Sequence, residues 1–148
     1  MSIETDTKPQ AQVYRYEKPE FKEGRGKAVL KLGITDRAFV AVQRIKKGGE
    51  TNLHTHTIVD GFWMVLKGRV RFYTTDDEVL AELGPMEGVI IPRNFPYWFE
   101  SASDDELEIL QMEAASVPLV ATTGAGTGRV DLSPRLATQI RQTMIPPS

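Results

Sequence analysis

Cysteine is absent from the chain, and histidine occurs only twice. The first absence excludes disulfides, thiolate metal sites and a cysteine nucleophile. Long apolar runs are also missing, so no segment reaches the length that spans a bilayer. The polar start, with Glu4, Asp6, Lys8 and Pro9, lacks the apolar centre of a secretory leader. Neither sign of charge dominates: 18 Lys and Arg stand against 20 Asp and Glu, a formal balance of -2. That balance gives no surface for a polyanion. The expectation is a cytoplasmic protein with no nucleic-acid and no membrane partner. Repeats of recognisable period are absent too.

What is there suits one domain, with 148 residues of which 41% are hydrophobic. From Val13 to Met112 the chain is a series of short apolar runs, among them Ala38–Ile45, Phe62–Leu66, Arg69–Tyr73, Gly88–Ile91 and Leu107–Met112. They are rich in β-branched and aromatic residues and are parted by Gly, Pro and Asp, which is the pattern of an all-β sandwich or barrel. Residues 1–12 read as a flexible arm, 13–115 as the barrel, and 116–148 as a linker and a short helix. The helix rests on Ser133-Pro134 as cap and first position, on Leu136, Ile140 and Met144 at a spacing of four, and on the stop at Pro146-Pro147.

The two histidines are His54 and His56. Residues two apart on a strand face one way, so both imidazoles converge, and two imidazoles are a natural start for a divalent metal site. An exposed or merely hydrogen-bonded pair has the same spacing. The context is more specific. Gly48, five residues, His54, one residue, His56, and then Gly68 after an apolar strand resemble the first motif of the cupin superfamily. The stretch from Gly84 through Pro92, Asn94 and Tyr97 to Ser101 resembles the second motif. Pro92 matches its proline, Asn94 stands for its glycine, and Ser101 stands at its asparagine. The resemblance spans Ala38 to Met112. It implies a double-stranded β-helix, the cupin or jelly-roll barrel, with an N-terminal arm and a C-terminal helix. It also implies a homodimer made through barrel faces or exchanged strands.

In that family a metal is held by the two histidines, a glutamate of the first motif and a histidine of the second. Here the glutamate position falls on Gly61 counted back from Gly68, or on Asp60 counted from His56. The second-motif histidine position falls on Tyr97. Three readings follow. A divalent ion (Fe, Mn, Ni, Cu or Zn) is bound by His54 and His56 with Asp60 or Tyr97 as substituted ligand. Water or substrate completes a two-histidine site. Or the metal is lost, and His54, His56 and Tyr97 act as acid and base.

If Gly61 faces inward, strand parity puts Trp63 and Val65 beside it, while Phe95 and Phe99 share the face of Tyr97. Such a cavity suits a small organic molecule; equally, the aromatics fill a small barrel. Gly124–Gly128 is read as linker rather than a nucleotide fingerprint. The functional expectation is a small-molecule cupin enzyme, a divalent-metal-dependent oxygenase, isomerase or decarboxylase. The alternatives are a metal-independent isomerase, epimerase or cyclase, and a non-catalytic binding protein.

Overall fold

A computed structural model describes residues 8–46, 51–119 and 127–132. Ten strands account for most of them: β1 (Lys27–Ile34), β2 (Ala38–Lys46), β3 (His54–His56), β4 (Val59–Lys67), β5 (Val70–Tyr73), β6 (Val79–Leu83), β7 (Gly88–Ile91), β8 (Trp98–Ser101), β9 (Glu106–Ala115) and β10 (Arg129–Asp131). Every pairing is antiparallel. One layer has the order β1-β2-β9-β4-β7. The second consists of β10-β3 and β6-β5-β8, joined by a bridge between His54 and Tyr97.

The alternation read in the sequence explains the layers. Along β4 the side chains of Val59, Gly61, Trp63 and Val65 are buried and those between them are less so, as expected for a strand with one face in a core. The core between the layers contains Trp63, Phe72, Tyr97 and Phe99 with Ile45, Val65, Val70, Leu107 and Ile109. Trp63 and Phe72 each lie 5.1 Å from the Phe99 ring, the tilted spacing that aromatic quadrupoles favour.

Two turns position the site. Gly68, at φ 86°, closes the β4–β5 hairpin, and Asn94, at φ 67°, turns the chain before Tyr97. Asn94 therefore takes the left-handed geometry for which the family uses glycine. The Asn94 amide also donates to the carbonyl of His56 at 2.8 Å.

Residues 8–26 contain no strand, yet they are tied across the outer face of the five-stranded layer. The Gln12 side chain bonds both the amide and the carbonyl of Ile34. Tyr16 donates to Glu108 at 2.6 Å, and Lys18 reaches Glu108 at 3.2 Å. Arg44 pairs with Glu106 at 2.7 Å and donates to the carbonyl of Pro19. Beyond this strap the outer face is bare, with Phe62, Ile90 and Met112 exposed. The strand Arg129–Asp131 lies inside the stretch read as linker; it forms because Gly128, at φ 69°, turns the chain alongside β3. The helix expected from Ser133 lies outside the described residues. Among those described, no helix is long and apolar enough to cross a membrane.

Gly68→Ala tests the hairpin. A Cβ there would run into the carbonyl oxygen of Glu106 and the hydroxyl of Ser103, and the positive φ adds its own strain. A loss of about 2 kcal/mol or more is expected in denaturant unfolding; an unchanged midpoint would refute the hairpin geometry.

Candidate functional site

The backbone of His54 exchanges two hydrogen bonds with Tyr97, at 3.0 and 2.9 Å. Directly opposed residues of an antiparallel pair project to one face. The Tyr97 ring accordingly lies 4.5 Å from the His54 ring and 6.2 Å from that of His56. The two imidazoles are 4.9 Å apart and nearly perpendicular, at 88°. His54 is 2% exposed and Tyr97 also 2%, so the three rings meet inside the barrel.

Each imidazole is tethered. His54 Nδ1 lies 2.6 Å from the carbonyl of Asn52. A carbonyl only accepts, so Nδ1 carries the proton and Nε2 keeps its lone pair. His56 Nδ1 shares a hydrogen bond of 2.9 Å with the Thr127 hydroxyl. Asn52 has a second duty, because its side-chain oxygen accepts from Arg129 at 2.6 Å. Arg129 also bonds Asp131 at 3.1 Å.

Burial, and then the Arg129 charge, push the imidazoles down, His54 to about 3 and His56 to about 4. Both are neutral near pH 7. Burial, reinforced by Glu113, pushes the Tyr97 phenol up. Burial and Arg129 lower Lys27 to about 8.

Asp60 does not join this group. Thr57 and Ile58 part β3 from β4, and the chain resumes with Val59 inward. The parity of His54 and His56 therefore passes to Val59 and Gly61. Asp60 faces the other side, where its carboxylate accepts from the Arg93 amide at 2.9 Å. Gly61 lines a narrow hollow with His56, Val59, Ile91, Pro92 and Tyr97. Val65 and Phe99, read as pocket residues, are 0% and 1% exposed and belong to the packed core, and Phe95 packs against it. Trp63 is in the core as well, but its Nε1 borders the hollow, 3.2 Å from where a Gly61 Cβ would stand.

One interior carboxyl escaped the sequence reading. Glu113, 3% exposed, sits on β9 opposite Gly61. Burial raises its pKa, while a bond from Gln111 lowers it. Gln43 on β2 donates to Gln111 at 2.7 Å. The signal was present: Gln111 and Glu113 continue the parity of Leu107 and Ile109, and Gln43 that of Ala41 and Ile45. Asn52, Thr127 and Arg129 gave no local signal.

Among the described residues no three His, Cys, Asp or Glu stand close enough to share a metal ion. The donors that converge are two neutral imidazoles, with a phenol beside them. Two imidazoles suit a first-row divalent ion, and the positions they leave would fall to water or ligand.

A cupin-domain family model matches residues 41–113, and the chain belongs to the cupin superfamily. No curated protein matches the sequence. Solved structures do match the fold. A conserved protein of Klebsiella pneumoniae with a double-stranded β-helix domain is 14% identical, with 78% of this chain and 90% of that one covered and a TM-score of 0.62. An RmlC-like cupin of Methanocaldococcus jannaschii is 19% identical over 71% and 91% of the two chains, with a TM-score of 0.57. KdgF of a Halomonas species is 14% identical over 71% and 94%, with a TM-score of 0.59. These likenesses extend to the fold alone.

The lowered imidazole pKa values make stability depend on pH. In the unfolded chain both histidines take up protons near pH 6.5; in the folded chain they resist until about pH 4 and 3. Stability is therefore complete above about pH 6.5 and declines as pH falls, by up to about 1.4 kcal/mol per unit for each histidine. Denaturant unfolding of chelator-treated protein between about pH 4 and 7 should show this slope, and His54→Gln should reduce it. A slope unaltered by His54→Gln would contradict the burial of a neutral ring.

Proposed function

We propose that the protein is a cytoplasmic small-molecule enzyme whose interior site is centred on a divalent ion held by His54 and His56. The observation that carries this reading is the tethering of both imidazoles through Nδ1, to Asn52 and to Thr127. Metal-binding histidines are held in this manner, with the other nitrogen left for the ion. Their low proton affinity serves the same end, since protons compete with metals for the lone pair. When bound, such an ion supplies Lewis acidity or oxygen activation, which suits an oxygenase, isomerase or decarboxylase. Asn52 and Thr127 orient the rings, the aromatic core excludes water, and the Tyr97 hydroxyl offers a proton or a hydrogen bond beside His54.

The metal-independent isomerase, epimerase or cyclase built on His54, His56 and Tyr97 fares less well. A general base works best with a pKa near the working pH, and burial moves both imidazoles far below it. Asp60 is not proposed as a ligand, because its carboxylate is engaged on the opposite face.

Elemental analysis of untagged protein tests the proposal. Near one equivalent of Fe, Mn, Ni, Cu or Zn per chain is expected, falling to background in folded His56→Ala. No metal in either protein after reconstitution would sink it. Tight binding of a small molecule by such metal-free protein, without turnover, would instead favour a binding protein.

We also propose a homodimer, as in the small cupins the chain resembles, with a second copy on the bare outer face. Sedimentation velocity should show a dimer, and Ile90→Lys, at a position 60% exposed in the single chain, should yield a folded monomer. A monomeric wild type would refute this.

A further inference from the structure

Trp63 is 5% exposed, and its indole Nε1 is buried with no hydrogen-bond partner. A buried donor left unmade costs about 1–3 kcal/mol, so the orphan needs a reason. Its surroundings supply one. The space it borders is the one that Gly61 leaves empty, because any Cβ there would stand 3.2 Å from Nε1. The hollow beside Gly61 is walled by Tyr97 and His56. As it stands, it has no room for a water molecule, so no solvent meets the N–H. Trp63 also faces the Tyr97 phenol, which places two donors, one N–H and one O–H, at the same notch.

We propose that the Gly61 notch is an acceptor-oxygen subsite, in which Trp63 Nε1 and the Tyr97 hydroxyl hold a carbonyl, carboxylate or enolate oxygen of the ligand. Two fixed donors aimed at one point are the arrangement that stabilises a partly or fully charged oxygen. The charges nearby agree in sign. Arg129 acts electrostatically on His54, His56 and Tyr97, and with Lys27 it makes this end of the barrel positive. Entry requires movement of the His56 ring, the less buried imidazole, which is tethered at Thr127.

The ligand class is thus a small carbonyl compound or acid. Gly61 and Trp63 are its specificity-determining residues. Any larger residue at 61 fills the notch, and loss of the indole N–H removes a donor. This inference rests on the barrel being a small-molecule site, but not on whether a metal is bound.

The chain has two tryptophans, so indole N–H resonances of 15N-labelled protein give a direct readout. Pyruvate, which carries both a carbonyl and a carboxylate, is the probe, added to the protein as purified. The Trp63 indole proton should move downfield and saturate, while that of Trp98, already bonded to Asp77, stays in place. Trp63→Phe and Gly61→Ala should each weaken pyruvate binding about tenfold or more, the worth of one well-made hydrogen bond to a charged oxygen. The wild-type titration stands even if a variant does not fold. A saturable response of the His54 and His56 imidazoles with a motionless Trp63 indole would overturn the subsite and leave the small-molecule site intact. No saturable response from either the imidazoles or the indole would count against both.

Discussion

The pairing of His54 with Tyr97 holds the site and the second layer together. It is the bridge by which β10-β3 and β6-β5-β8 act as one sheet. The same two hydrogen bonds bring a phenol against an imidazole, so fold closure and site assembly are one event. The Asn94 turn, bonded to the carbonyl of His56, fixes the register from the other side. Were the pairing to slip by one residue, the whole set would turn to the opposite face.

The site is accordingly built by sheet geometry and adjusted by a few polar tethers. Asn52 serves twice, with its carbonyl for His54 and its side chain for Arg129. It thereby couples the orientation of an imidazole to the position of the nearest guanidinium. The interior is otherwise crowded with aromatic rings, which leave a notch only where Gly61 has no side chain. In a barrel this small, specificity depends on which atoms are missing as much as on those present.

The strands and the His54, His56 and Tyr97 grouping were legible in the sequence because they follow from period two and from turn residues at fixed offsets. Asn94 in left-handed geometry was legible for the same reason. Asp60 was misplaced because parity was carried across Thr57 and Ile58, where the chain leaves one strand and enters another. Glu113 and Gln43 were missed because a polar residue in a strand is ordinarily assigned to solvent. Here Glu113 lies opposite a glycine and finds a partner in Gln111. Thr127 and Arg129 could not be found by local reading. They reach the histidines through a strand pairing more than seventy residues away in the chain.

The strap of residues 8–26 bears on where this domain begins. Glu106 and Glu108 are 8% and 4% exposed on the outside of a sheet, a place where carboxylates are ordinarily bathed in solvent. They are tolerated because Arg44, Lys18 and Tyr16 answer them, and two of those three come from the strap. Peeling the strap away would take partners from two acids that the sheet holds close to its surface. The segment before the first strand is thus a counter-charge fitted to the barrel, and the working unit extends well upstream of β1.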